Sequence, residues 1–450
     1  MESERYRVTV AGDGSISSLT DLASGRDLVR PGGAISHKGP AGDAPVEVEA
    51  RGPVRTTLRV TAPGAPRHIA RISLVAGVDR VEVDNRITAN FGAVTGYDFD
   101  FALGPDFVAR HEEVGMVAKV GRGANGDYAE RGTRTDYLTL NHFVDLAEPR
   151  FGVTLSSWDS QFFRLGESTI QRLDTAVPSV FAVVGMQSDG ADVAFQNQGG
   201  DEAFKNRYAL RAHRGYDGPA AMRFALAHQN PLVAVAASGG ADAPLSADTF
   251  SLLRTREADV LLWALKPAEE GIEAGAIVRL WNLAEAPRNP RLFFPGARLR
   301  SAVRATHVET DIGEAERNGD CIEDGLARQQ LGTWRVQLAL SPGGGPAPDG
   351  GVQDVDAAPP ADAAPSPGDA AAPDPGRLPD ARGVDRGVAC VRPDAQVGVT
   401  DGGPPTSGEP APPSASKKSD DGCAVGGTGP APLGWVCLLM GLRRRRRASW

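Results

Sequence analysis

Three stretches hold the residue types that do acid–base or metal chemistry. Asp98 and Asp100 stand two apart in YDFDFAL, His111 precedes Glu112 and Glu113, and His142 precedes Asp145 by three positions. Paired carboxylates cleave glycosides when they flank the scissile bond from different elements. Two carboxylates at i and i+2 of one strand instead share a face. The alternation of Asp98 and Asp100 with Tyr97, Phe99 and Phe101 assigns both to the solvated side of a single strand. His142 and Asp145 would point to opposite faces of a strand, so they do not converge on a metal. None of His37, His68, His111, His142, His213, His228 and His307 stands in an H-x-D, H-x-H or H-E-x-x-H spacing. A G-x-S-x-G elbow is absent, and GRGANGD (121–127) is glycine-rich with no phosphate-loop lysine after it. The residues taken alone give no catalytic group and no metal ligand set.

One polar loop stands apart. In FQNQGGDEAFKNRYALRAH (195–213), Asn197, Gln198, Asp201 and Arg207 surround Gly199 and Gly200. Amides, a carboxylate and a guanidinium match the donors and acceptors of sugar hydroxyls. Paired glycines let a ligand or another backbone approach closely. A polar hairpin loop is the competing reading. These four residues are the candidate carbohydrate contacts.

The elements that position them read as strands. VRTTLRVT places Val54, Thr56, Leu58 and Val60 on one side and Arg55, Thr57, Arg59 and Thr61 on the other. RVEVDNRI sets Val81 and Val83 against Glu82 and Asp84, and YDFDFAL turns Tyr97, Phe99, Phe101 and Leu103 inward. Period-two alternation marks sheets with one buried face. Gly and Pro separate the runs at PGGA, APGAP, AGVD and GPDF. Helical patches are few, GPAAMRFALAH being the clearest. The fold class is therefore all-β, antiparallel sheet on sheet. Near residue 245 the pattern tightens to VLLWALKP, AIVRLWNLAE, RLFFPGARL and TWRVQLAL. This divides a large sandwich (1–245) from a small one (246–341). Residues 342–421 hold 16 of the chain's 34 prolines and no Phe, Trp, Tyr or Ile, so they form a disordered linker. Residues 422–450 are a tail.

Composition narrows the partners. The chain carries 48 Lys and Arg against 57 Asp and Glu, a net charge of −9, and its one basic cluster is Arg443–Arg447. That balance argues against nucleic acid, which needs a basic face. Cys321, Cys390, Cys423 and Cys437 match no zinc spacing and read as no disulfide framework, with Cys321 a buried, idle thiol. The first residues, YRVTVAGDGSISSL, are already strand–turn–strand and contain no export signal.

Four segments in order resemble the C-terminal β-domains of glycoside hydrolase family 38, the α-mannosidase family. They are YRVTVAGDGSISSLTDLASGRDLV (6–29), NHFVDLAEPRFGVTLSSWDSQFFR (141–164), QGGDEAFKNRYALRAH and VLLWALKPAEEGIEAGAIVRLWNLAEAP (260–287), together spanning about residues 4–341. The resemblance implies a galactose-mutarotase-like super-sandwich followed by a small terminal sandwich. In that family a zinc ion, a nucleophilic Asp and an acid/base Asp sit in an N-terminal barrel, and none of those residues has a counterpart here. The implied role is the non-catalytic part of an α-mannosidase-type enzyme, with zinc expected only in the missing domain. Its partners would be an α-mannoside glycan and a separately encoded N-terminal catalytic domain. The alternatives are a stand-alone cell-surface carbohydrate-binding or adhesive protein, and a structural remnant.

The tail resembles the C-terminal sorting signal of myxobacterial surface proteins, with Gly422-Cys423, an apolar run Leu433–Leu442 and Arg443–Arg447. Ten residues of helix reach about 15 Å, short of the ~30 Å hydrocarbon core. The tail thus reads as a processed membrane signal with Cys423 as the modification site. A surface-directed tail on a chain that opens mid-fold implies a front-truncated protein. Its expected place is the cell surface or outer envelope if exported, and the cytoplasm otherwise.

Overall fold

The computed structural model describes residues 1–39, 42–91, 95–113, 115–187, 194–195, 203–236, 251–295 and 297–340. Its first part is two nine-stranded sheets packed face to face. One runs Tyr6–Val10, Ile16–Asp21, Ile35–His37, Thr95–Asp100, Ser179–Gln187, Phe162–Leu165, Leu138–Thr139, with Arg26–Asp27 and Ala194–Phe195 attached. The other runs Met116–Lys119, Val108–Glu113, Phe143–Glu148, Phe151–Ser157, Phe204–His213, Val81–Ile87, His68–Val75, Arg55–Ala62, Glu47–Arg51. The all-β class expected from the alternation is the observed one.

The alternation does the work of register. Val81 and Val83 are buried with Tyr97, Phe99 and Phe101 in one inter-sheet core, joined by Val144, Leu155, Phe163 and Leu210. The pattern departs from expectation at the edge: Val54 is 67 % exposed, while Thr57 is buried and bonded to Ser73 at 2.9 Å. Asp98 and Asp100 face away from the core as expected, but both are only half-exposed. Asp100 pairs with Arg30 at 3.0 Å, and burial, with Asp100 beside it, raises the Asp98 carboxyl above its ordinary value.

The second part has a four-stranded and a five-stranded sheet. Its core holds Val260, Val278, Leu280, Ile322, Trp334 and Val336. Trp334 and Trp281 are fully buried; their ring N–H groups donate to Asp324 Oδ2 at 2.9 Å and the Gln329 carbonyl at 3.2 Å. Cys321 is 4 % exposed and disulfide-bonded. The burial expected of Cys321 is observed, and its disulfide corrects the reading of it as an idle thiol.

GPAAMRFALAH forms the helix Gly218–Gln229, capped by the Asp217 carboxylate accepting from Ala220 N at 3.0 Å. Ala221, Met222 and Ala225 cover the outer face of the second large sheet, packing with Phe143, Leu261, Trp281 and Leu283. The helix therefore sits where the two parts meet. This explains why Phe151–Ser157 is buried at every position. Val153 and Leu155 face the inter-sheet core, while Ser156 turns outward and meets His228 of the helix at 3.0 Å.

Candidate functional site

One end of the large sandwich carries a cleft of about 740 Å³. Its walls come from five places: Lys38 after the Ile35–His37 strand, the turn 63–67, residues 88–91 after Val81–Ile87, Thr95 and Gly96, and Phe181. Two glycines shape it. A Cβ on Gly96 would lie 2.4 Å from the Ala182 carbonyl and 2.6 Å from the Phe181 ring. One on Gly185 would lie 2.3 Å from the Phe91 ring. The missing side chains let the two phenylalanines lie flat on the sheet as the cleft's aromatic wall. Phe204 packs on Phe91 with ring centroids 4.9 Å apart, and Arg164 covers Phe181 at 4.9 Å.

Inward of the cleft is a polar patch between the sheets. His68 and Tyr97 directly follow the cleft residues Arg67 and Gly96, and Asn85 lies across the ladder from Asn206. All four are at most 5 % exposed, yet His68 Nδ1, Tyr97 Oη, Asn85 Oδ1 and Asn206 Oδ1 have no partner among the described residues. Their remaining bonds are local: Asn85 Nδ2 donates to Ser36 at 2.7 Å and Asn206 Nδ2 to Ser160 at 3.0 Å. Burial, then the charge of Lys38, pushes His68 down to about 4, so its imidazole is neutral at physiological pH. Buried polar atoms are almost always bonded, so a cluster of unpaired ones calls for water or a ligand. The sequence did carry a signal for this patch. His68, Asn85 and Asn206 occupy the inward phase of strands whose other inward residues are apolar.

Of the sequence-derived contacts, Asn197, Gln198 and Asp201 lie outside the described residues, as does Cys423. The strand that follows the loop starts at Phe204, in contact with the cleft residue Phe91. Arg207 is described. Its Nε and one Nη are held by the Asp159 carboxylate at 2.8 and 2.7 Å, and its guanidinium lies 3.5 Å over the Trp158 ring. Trp158 in turn meets the edge of His228. The structure does not bring Arg207 into the cleft lining.

The other histidine–carboxylate groupings have structural partners. His142 Nδ1 meets Glu112 Oε2 at 2.7 Å, and the His142 ring stacks edge-on against Trp263. Asp145 accepts from Thr154 at 2.6 Å and contacts His213 Nε2 at 2.8 Å, so His142 and Asp145 belong to separate clusters. His111 is pushed down to about 4 by burial. Neutral, it donates from Nδ1 to the Thr139 carbonyl at 2.9 Å and accepts the Tyr128 hydroxyl at Nε2 at 2.6 Å. Among the described residues no group of three or more His, Cys, Asp or Glu could hold a metal ion. Nor is any helix among them long and apolar enough to cross a membrane.

No family model matches the sequence, and no curated protein matches it. Solved structures do. The chain is similar to an α-mannosidase from Enterococcus faecalis V583, with 14 % identity and a TM-score of 0.55, over 75 % of this chain and 42 % of that one. A second Enterococcus faecalis structure, a protein in glycosyl hydrolase family 38, gives 14 % identity and the same TM-score of 0.55, over 75 % and 44 %. A putative aldose 1-epimerase from Escherichia coli K12 covers 48 % of this chain and 98 % of its own, with 9 % identity and a TM-score of 0.33. The chain thus shares a fold with these mannosidase structures and spans less than half of their length.

Proposed function

We propose that this chain is the non-catalytic β-portion of an α-mannosidase-type glycoside hydrolase, binding carbohydrate at the end of its large sandwich. It would act beside a zinc-dependent catalytic domain supplied separately. The observation that carries this is the pairing of a mannosidase-like fold with a cleft that has aromatic walls, Phe91 and Phe181, and unpaired polar atoms behind it. Sugars bind through such a mixture: C–H faces against rings, hydroxyls against amides and hydroxyls. Asn197, Gln198 and Asp201 are proposed to extend the contact surface, since the strand following them starts at Phe204, which packs on the cleft residue Phe91. The chain spans 42–44 % of the mannosidase structures it resembles. A stand-alone carbohydrate-binding module is the second reading.

The proposed location is the cell surface or outer envelope, with membrane attachment through the tail and Cys423.

Titration of the chain with α-mannose oligosaccharides at millimolar concentration tests the binding claim; no heat and no spectral change would refute it. An aryl α-mannoside with added zinc tests the second half. The expected turnover is nil, and zinc-dependent hydrolysis by this chain alone would overturn the non-catalytic assignment.

A further inference from the structure

The cleft has a charge that its surroundings leave unbalanced. Lys38 and Arg67 both line it, and no Asp or Glu among the described residues does. Neither cation has a carboxylate partner among the described residues, whereas the neighbouring acids are taken. Asp84 is engaged by Arg86 at 3.0 Å and Lys205 at 3.7 Å, and Asp13 by His37 at 3.1 Å. Other arginines of the same sheet follow the ordinary rule: Arg71 pairs with Glu49 at 2.7 Å and Arg55 with Glu82 at 2.7 Å. Lys38 is half-buried, and burial is the sole cause lowering its ammonium, with no acid near enough to offset it. Two uncompensated cations facing one concavity form a site for negative charge, most effective where the walls exclude water. The lining also holds the aromatic rings of Phe91 and Phe181, which a bare anion would not use.

Resting on the carbohydrate reading above, the geometry points to an anionic saccharide as the ligand of this cleft. This is a hexose unit bearing a carboxylate, phosphate or sulfate, its acid group held by Lys38 and Arg67 and its ring laid on Phe91 and Phe181. A neutral glycan fills the aromatic half and leaves both cations unpaired; inorganic phosphate satisfies the cations and leaves the rings bare. Only a ligand with both parts uses the whole lining. The cleft's 740 Å³ falls within the range of small-molecule sites and accommodates one or two sugar rings.

The test is calorimetric titration of the full chain at low salt with methyl α-mannoside, mannose 6-phosphate, glucuronate and inorganic phosphate. At least one of the two anionic sugars is expected to bind roughly tenfold tighter than methyl α-mannoside and than phosphate, as charge-assisted bonds add to the ring contact. The Lys38→Gln/Arg67→Gln variant should bring that preference within twofold at an unchanged melting temperature, because neither side chain has a partner to lose. Equal binding of methyl α-mannoside and the anionic sugars overturns the inference and leaves the carbohydrate reading standing. Phosphate binding as tightly as the sugars overturns the saccharide assignment. Retention of the tenfold preference by the double variant overturns the assignment of the cations. If no saccharide binds, the carbohydrate reading falls and this inference with it.

Discussion

The cleft end of the large sandwich and the seam beneath the helix both bury histidines and other polar side chains in a β protein, and they treat them differently. At the seam nearly every polar group has a partner: Glu112 with His142, Thr154 and His213 with Asp145, Ser156 with His228, and Trp281 with the Gln329 carbonyl. Asp145 Oδ1 and Arg211 Nε are its exceptions. At the cleft, among the described residues, His68, Tyr97, Asn85 and Asn206 each leave an atom unpaired, and Lys38 and Arg67 have no counter-charge. Saturated groups hold a structure together; unsaturated ones await something from outside.

The largest expected effect is at the seam. Asp145→Ala strands the His213 ring and the Thr154 hydroxyl, and urea denaturation should show a loss of about 3–5 kcal/mol. A loss under about 1 kcal/mol would break the contrast by making the seam's bonds dispensable. Acid comes next. His68, His111 and His228 are all held near 4, chiefly by burial, against an ordinary 6.5. Between those values the unfolded chain binds protons that the native chain refuses, so stability present above pH 6.5 falls as pH drops toward 4. Each histidine contributes on the order of 3 kcal/mol to that loss. Midpoints of denaturation measured across that range should decline with acid, and His228→Gln should flatten the slope; a pH-independent midpoint contradicts the burial of neutral rings.

A smaller effect sharpens the cleft's design. Gly96→Ala forces a methyl against the Ala182 carbonyl and Phe181. Thermal unfolding should register a loss of about 1–3 kcal/mol, with weakened saccharide binding as the aromatic wall shifts. The smallest effect is the most telling. Tyr97→Phe removes a buried hydroxyl that has no partner, so stability should hold or rise by about 1 kcal/mol. The same change at a saturated site would destabilise, so a marked loss here would show that the Tyr97 hydroxyl is already bonded.

The sequence made the sheets legible because alternation is a local signal. Val81, Val83, Tyr97, Phe99 and Phe101 declare their face within a few residues. Asp145, Thr154 and Ser156 do not, because a helix more than sixty positions later in the chain buries them. Their polarity suggested solvent, and tertiary packing overrode it. The cleft is less legible still. Lys38, Arg67, Phe91 and Phe181 lie far apart in the chain and meet only because the Ile35–His37 strand and Ser179–Gln187 both pair with Thr95–Asp100. The loop chosen from composition, Asn197, Gln198 and Asp201, lies outside the described residues, and Arg207 is clamped by Asp159 and Trp158.

The central claim is that the open end of the large sandwich, and not the seam, receives the ligand. Amide chemical-shift mapping during titration with mannose 6-phosphate tests it most directly. The account predicts concentration-dependent shifts at Arg67, Thr88, Asn90 and Gly96, with Phe143, Trp281 and the helix unmoved. Shifts confined to the seam, or absent from the cleft at saturation by any of the four titrants, would contradict it.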